Sequence, residues 1–165
     1  MDLTPEFRVG IGVDAHALAE GVPLVLGGLE LQSPRGLAGH SDGDVIAHAL
    51  IDALLGAAGL GDIGGMFPPG DPQWAGASSL DLLARAYAAV QYVAWELVNA
   101  DCVLIGEEPR IAVHRNEMRE ALAAALDVDP LRISVRGTTT DRLGFTGRGE
   151  GLAAQAVALL RRPAE

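Results

Sequence analysis

The stretch GHSDGDVIAHALIDALLG, Gly39–Gly56, is the one from which the rest of the chain can be read. Apolar residues at Val45, Ile46, Ala49, Leu50, Ala53 and Leu54 recur at helical spacing, which predicts a helix with a core-facing stripe. Ser41 or Asp42 is placed to cap this helix, which runs to about Gly56. Asp44, His48 and Asp52 stand four residues apart and form a second stripe along one side of it. An acidic–histidine–acidic ridge therefore lies next to the hydrophobic core, and the question is what it is for.

Upstream, FRVGIGVDAH (7–16) alternates as a strand, with Val9, Ile11 and Val13 on one face and Gly10, Gly12, Asp14 and His16 on the other. VPLVLGGLEL (22–31) reads as two short strands around a Gly27–Gly28 turn. Downstream, GLGDIGGMFPPGDPQWAGASS (59–79) predicts a loop of about 20 residues, a length that tends to be functional or disordered. Asp62 and Asp71 bracket its glycines as in a mobile lid, or the segment is simply a solvated loop, with Met66 and Phe67 as anchors to the core. A helix from Ser79 to about Trp95, a strand in NADCVLI (99–105), a helix in NEMREALAAALD (116–127) and a strand in LRISVRG (131–137) follow. TTTDRLGFTGRGEG (138–151) is a polar, glycine-rich connection. The final LAAQAVALLRR (152–162) fits a helix by its alanines and a buried strand by its length.

No repeat or linker divides the chain, and 165 residues suit one α/β domain spanning 1–165. With 49% hydrophobic and only 4% aromatic residues, the core must be built from Ala, Val, Leu and Ile. A net charge of −10 argues against a nucleic-acid backbone or an anionic membrane as partner. All 12 basic residues are arginine, so Schiff-base chemistry and a phosphate-gripping lysine are excluded. The single Cys102, inside the apolar CVLI, reads as packing. Absence of a signal-like N-terminus or a membrane-length apolar run predicts a cytoplasmic protein.

Three constellations carry chemistry. Asp14 and His16 project to the same side of a strand, and His48 can join them from the helix. Two imidazoles and a carboxylate suit Zn²⁺ with a fourth position free, and Asp44 and Asp52 are candidates to orient His48. The alternative is a strand-ending Asp14, an exposed His16 and a hydrogen-bonded core histidine. His40 and Ser41 stand at a helix N-terminus, where an anion is favoured, although an ordinary capping turn reads the same way. Thr138, Thr139, Thr140, Asp141 and Arg148 offer hydroxyls, a carboxylate and a cation around glycine-rich turns, suited to phosphate and a hard cation or to a polar turn alone.

Taken together, GVDAHAL, the long GHSDGD–PPGDP segment and TTTDRLGFTGRGEG resemble the 2-C-methyl-D-erythritol 2,4-cyclodiphosphate synthase family, from about Arg8 to Leu160. The resemblance implies a mixed β-sheet covered by helices, assembled as a homotrimer with active sites between subunits. It implies cyclisation of 4-diphosphocytidyl-2-C-methyl-D-erythritol 2-phosphate with release of CMP, in the non-mevalonate isoprenoid pathway. Asp14, His16 and His48 match zinc ligands, one Zn²⁺ per subunit. His40 and Thr139 match residues assigned to transition-state stabilisation, and Asp141 matches the ligand of a second cation, Mg²⁺ or Mn²⁺. Substrate contacts are implied for these residues and for Ser41, Asp62, Ile63, Gly64, Phe67, Asp71, Thr138 and Thr140, while Phe145 and Arg148 match residues lining a central cavity. Asp141 stands where glutamate is usual, Arg110 where lysine is usual and Val113 where proline is usual in the cytosine-recognising EEPRIAVH. The segment QYVAWELVNADC lacks the glycine commonly found before its strand. Two other functions fit the same residues: a zinc phosphohydrolase, or a non-catalytic trimer that holds a prenyl diphosphate.

Overall fold

Period-two alternation from Phe7 onward extends into a 15-residue strand, β1 (Glu6–Glu20), in the computed structural model, which describes residues 6–163. The C-terminal segment that fitted either helix or strand is a strand, β7 (Gly151–Arg162), antiparallel to β1 from Glu6↔Arg162 to Ala17↔Gly151. Alanine's helix preference is overridden because Leu152, Ala154, Ala156, Ala158 and Leu160 all turn to the core. Next to β7 lies β5 (Glu96–Ile105), also antiparallel, and β6 (Ile133–Thr138) runs parallel to β5. The short β4 (Arg35–Leu37) extends the other edge, giving a mixed sheet of order β4-β1-β7-β5-β6. A separate hairpin, β2 (Leu24–Leu26) and β3 (Leu29–Leu31), turns at Gly27 and Gly28, both in the left-handed region as a two-residue turn requires.

Helices cover one face of the sheet. α1 (Val45–Ala58) lies on β1 and β7, α2 (Ile63–Met66) follows it, α3 (Ser79–Tyr92) packs on α1, and α4 (Arg115–Leu126) packs on α3 and β6. A last single turn, α5 (Gly144–Gly147), precedes β7. A single apolar stripe is too narrow a description of α1, because Ala47, Ile51 and Leu55 are buried as well. The helix is enclosed by sheet on one side and α3 on the other. It approaches β1 closely because Gly10 and Gly12 have no side chains; a methyl at Gly12 would overlap the Ala49 carbonyl, and one at Gly10 that of Ala53.

Two local expectations are corrected. The α1 cap is Asp44, whose carboxylate accepts from the N–H groups of Ile46 and Ala47, not Ser41 or Asp42. The 59–79 segment is not structureless, since it holds α2 and a tight turn at Pro72–Trp74, with Phe67 buried edge-on against Trp74. Among the described residues the opposite sheet face carries no helix. Phe7, Val9, Ile11 and Val13 project there with exposures of 54, 69, 60 and 62%. No helix among the described residues is long and apolar enough to cross a membrane.

Candidate functional site

The glycine face of β1 delivers Asp14 and His16 to the mouth of the α1 layer, and α1 brings His48 to meet them. Asp14 Oδ2 lies 3.0 Å from His16 Nε2 and 3.0 Å from His48 Nδ1, and the two nitrogens are 3.3 Å apart. His16 Nδ1 is 2.7 Å from the Ala38 carbonyl, so that nitrogen carries the proton and Nε2 turns a lone pair to the cluster. His48 Nε2 faces the Ser41 and Ser79 hydroxyls at 3.0 and 2.9 Å, and as the Nε2–H tautomer it would turn its Nδ1 lone pair inward as well. In that tautomer three acceptor atoms converge on one point, an arrangement that needs a cation between them. A tetrahedral metal with bonds of ~2.0–2.1 Å has ligand edges of roughly 3.3 Å, close to the triangle observed, so the three residues fit a metal ion.

Electrostatics agree with the geometry. With a proton rather than a metal between these atoms, burial pushes the Asp14 carboxyl up, but hydrogen bonds donated by His16 and His48 prevail and hold it at about 2. The Asp14 hydrogen bond raises the His16 pKa, partly offset by burial. Asp14 is therefore an anion at neutral pH, as a metal ligand must be.

Asp44 and Asp52 do not orient His48. Asp44, fully buried, accepts from the N–H groups of Gly27 and Gly28 at 2.9 and 2.7 Å as well as from Ile46 and Ala47, each at 3.1 Å. It ties the β2–β3 turn to the start of α1; burial raises its pKa against the pull of those donors. Asp52 accepts from Ile63 N–H at 2.7 Å and anchors α2, its pKa likewise raised by burial. The groups that do reach the ring, Ser41 and Ser79, are 7 and 31 residues from His48; Ser79 carries no motif signal of its own.

A cavity of about 270 Å³ opens beside the cluster, lined by Asp14, His16, His40, Ser41, His48, Ile63, Gly64 and Phe67 together with Pro69, Trp74 and Leu82. His40 Nε2–H donates to the Asp71 carbonyl at 3.0 Å. The Asp62 and Asp71 carboxylates are not in the lining: Asp62 caps α2 through Gly65 N–H, and Asp71 caps the turn through Gln73 N–H.

The threonine segment lies elsewhere. Thr138 and Thr139 line a separate cavity of about 360 Å³ with Glu107, Pro109, Arg110, Ile111 and Arg115. The two cavities share no residue. Thr138 stands on the sheet row Ala15–Ala153–Ile105–Thr138, three strand steps from β1, or about 14 Å. Asp141 is exposed, in the left-handed region, with Thr139 Oγ1 on its Oδ1 at 3.3 Å. Thr140 Oγ1 donates to the Leu143 carbonyl at 2.6 Å. Phe145 is 43% exposed, and Arg148 pairs with Glu150 at 2.8 Å. One chain therefore does not bring the metal cluster and the threonine segment together.

Residues 7–161 match the model of the YgbB family. The chain is 61% identical over 159 residues to the 2-C-methyl-D-erythritol 2,4-cyclodiphosphate synthase of Rubrobacter xylanophilus, covering 94% of this chain and 96% of that one. Among solved structures it resembles the CDP-bound form of 2C-methyl-D-erythritol-2,4-cyclodiphosphate synthase, with TM-score 0.84, 40% identity, and 93% of this chain and 99% of that one covered. It also resembles the bifunctional IspDF from Campylobacter jejuni, with TM-score 0.94 and 42% identity over 98% of this chain; it spans only 44% of that longer protein.

Proposed function

The chain belongs to the YgbB family, and from that membership we propose that it converts 4-diphosphocytidyl-2-C-methyl-D-erythritol 2-phosphate to 2-C-methyl-D-erythritol 2,4-cyclodiphosphate and CMP. It is a phosphorus–oxygen lyase of isoprenoid biosynthesis. The observation that carries the reading is the triangle of Asp14, His16 and His48 opening onto a cavity lined by His40 and Ser41. In this reaction the 2-phosphate attacks the β-phosphorus, and the bond from that phosphorus to the CMP oxygen breaks. Both reacting groups belong to one substrate, so the protein's task is to fold a polyanion, and such positioning supplies about 7–11 kcal/mol of the barrier.

Two imidazoles and one carboxylate favour Zn²⁺, which would supply charge neutralisation and polarisation of a phosphate oxygen. Asp14, His16 and His48 hold it; His40 and Ser41 orient the phosphate beside it. Across the site, Thr139 and Thr138 donate to the diphosphate, and Thr140, whose hydroxyl is committed to the Leu143 carbonyl, contributes through its main chain. Asp141, with Thr139 Oγ1–H on its Oδ1, would offer its carboxylate to a Mg²⁺ or Mn²⁺ carried in with the diphosphate. Ile63, Gly64 and Phe67 wall the erythritol side, with Asp62 fixing the backbone of α2 and Asp71 the turn that carries Trp74. Glu107, Arg110 and Ile111 border the pocket assigned to cytosine.

We assign a homotrimer in which the metal half of one copy faces the threonine half of the next. Two features support it: the half-sites are separate within one chain, and the helix-free sheet face exposes Phe7, Val9, Ile11 and Val13, a continuous apolar surface of the kind that subunits cover. Phe145 and Arg148, near the end of that sheet, line the central cavity. The products distinguish this function from hydrolysis. Phosphorus NMR of substrate with zinc-loaded protein should show the cyclic diphosphate and CMP in equal amounts, and neither with His48→Ala; inorganic phosphate as the product would contradict it.

A further inference from the structure

Behind the metal cluster runs a chain of hydrogen bonds that the reaction does not use directly. Ser79, fully buried at the start of α3, has its Oγ 2.9 Å from His48 Nε2. Its hydroxyl donates to Asp42 Oδ1, and its main-chain N–H donates to Asp42 Oδ2 at 2.9 Å. The Asp44 N–H, at 3.2 Å, gives Asp42 a further donor. A carboxylate only accepts, so the direction of the chain is fixed: Ser79 O–H points at Asp42, and the Ser79 oxygen is left to accept from His48 Nε2–H. Ser41, the other hydroxyl at Nε2, lines the cavity and is free to turn toward a substrate.

Resting on the metal site assigned above, we propose that Asp42, acting through Ser79, is a positioning residue that locks His48 as the Nε2–H tautomer, so that Nδ1 presents its lone pair to the metal. Asp42 occupies the place expected of Asp44 and Asp52, whose carboxylates bond elsewhere. Partners of this kind, one bond removed from a metal, commonly contribute 10–100-fold in metal affinity.

The test measures Zn²⁺ affinity by chelator competition on the full chain, with ¹⁵N histidine spectra of the metal-free protein at mildly alkaline pH to read the tautomer. Asp42→Asn keeps the shape and still accepts from Ser79 N–H, but its NH₂ group has no lone pair to receive the hydroxyl. Ser79→Ala leaves the main-chain bond to Asp42 intact, so the start of α3 stays tethered in both variants. Each should weaken zinc about 10–100-fold, and Asp42→Asn should shift the His48 tautomers of the metal-free protein toward Nδ1–H relative to the parent. Asp52→Asn removes the same charge without touching the ring and should change zinc affinity far less. Parent-like zinc affinity in both Asp42→Asn and Ser79→Ala overturns the relay, and so does weakened affinity with an unchanged tautomer in Asp42→Asn, which would assign the effect to loosened packing. His48→Ala separates the two levels of the argument. If it holds zinc as the parent does, the metal site itself is misassigned.

Discussion

Asp44, His48 and Asp52 share one side of α1, yet each makes a separate connection: Asp44 to the β2–β3 turn, His48 to Asp14 and His16, Asp52 to α2. Asp44 is the one on which folding depends, because four backbone N–H groups end on its two oxygens in a fully buried site. Asp44→Ala removes a helix cap and strands the donors of Gly27 and Gly28, so urea unfolding should report a loss of roughly 3–5 kcal/mol. A loss below about 1 kcal/mol would show that water replaces the carboxylate. Helical spacing made the common face of these three residues legible, but not their partners. The hydrogen-bonded groups lie 11 to 34 residues away for Ile63, Gly27, Gly28 and Asp14, and the partners of a side chain at that range are set by the fold, not by local pattern. The same reason hid Ser79 behind His48. By contrast the Asp14–His16 pair was legible, because residues two apart on a strand must share a face, whereas nothing local showed that His48 would meet them.

At the scale of elements, the close approach of α1 to β1 makes the cluster possible, and Gly12 makes the close approach possible. Gly12→Ala would force its methyl against the Ala49 carbonyl, one residue beyond His48, and push the helix off the strand. On the proposed metal assignment, zinc affinity should fall although Asp14, His16 and His48 are intact, as elemental analysis after dialysis would show; stoichiometric zinc would mean that the layer adjusts without moving His48. Gly56, inside α1, gives the opposite case, since a methyl there meets nothing nearer than 4.0 Å. Gly56→Ala should therefore stabilise the protein by about 0.5–1 kcal/mol in the same urea assay, with zinc unchanged; destabilisation would contradict it. The alternating glycines were visible in the sequence as an open strand face, but not what filled it. The C-terminal strand was not decidable locally, because an alanine-rich segment takes its conformation from the strands on either side of it.

For the whole molecule, burial and assembly make distinct claims. Cys102 is fully buried on the helix side of β5, and burial pushes its thiol up to about 12. A thiol reagent at neutral to mildly alkaline pH should leave the native protein unlabelled and modify one thiol per chain in denaturant; rapid native labelling would show that the core opens without global unfolding. On the proposed trimer, assembly completes the active site, since the metal cavity and the threonine cavity share no residue within one chain. His48→Ala and Thr139→Ala, each made alone, should be inactive. Co-expressed with different tags and purified as hybrids, they test the account most directly. In a trimer with sites between neighbours, every hybrid contains one interface pairing an intact metal half with an intact threonine half, so CMP release should recover to about a third of the parent's rate. Hybrids as inactive as the single variants would place both halves of each site in the same chain and contradict the account.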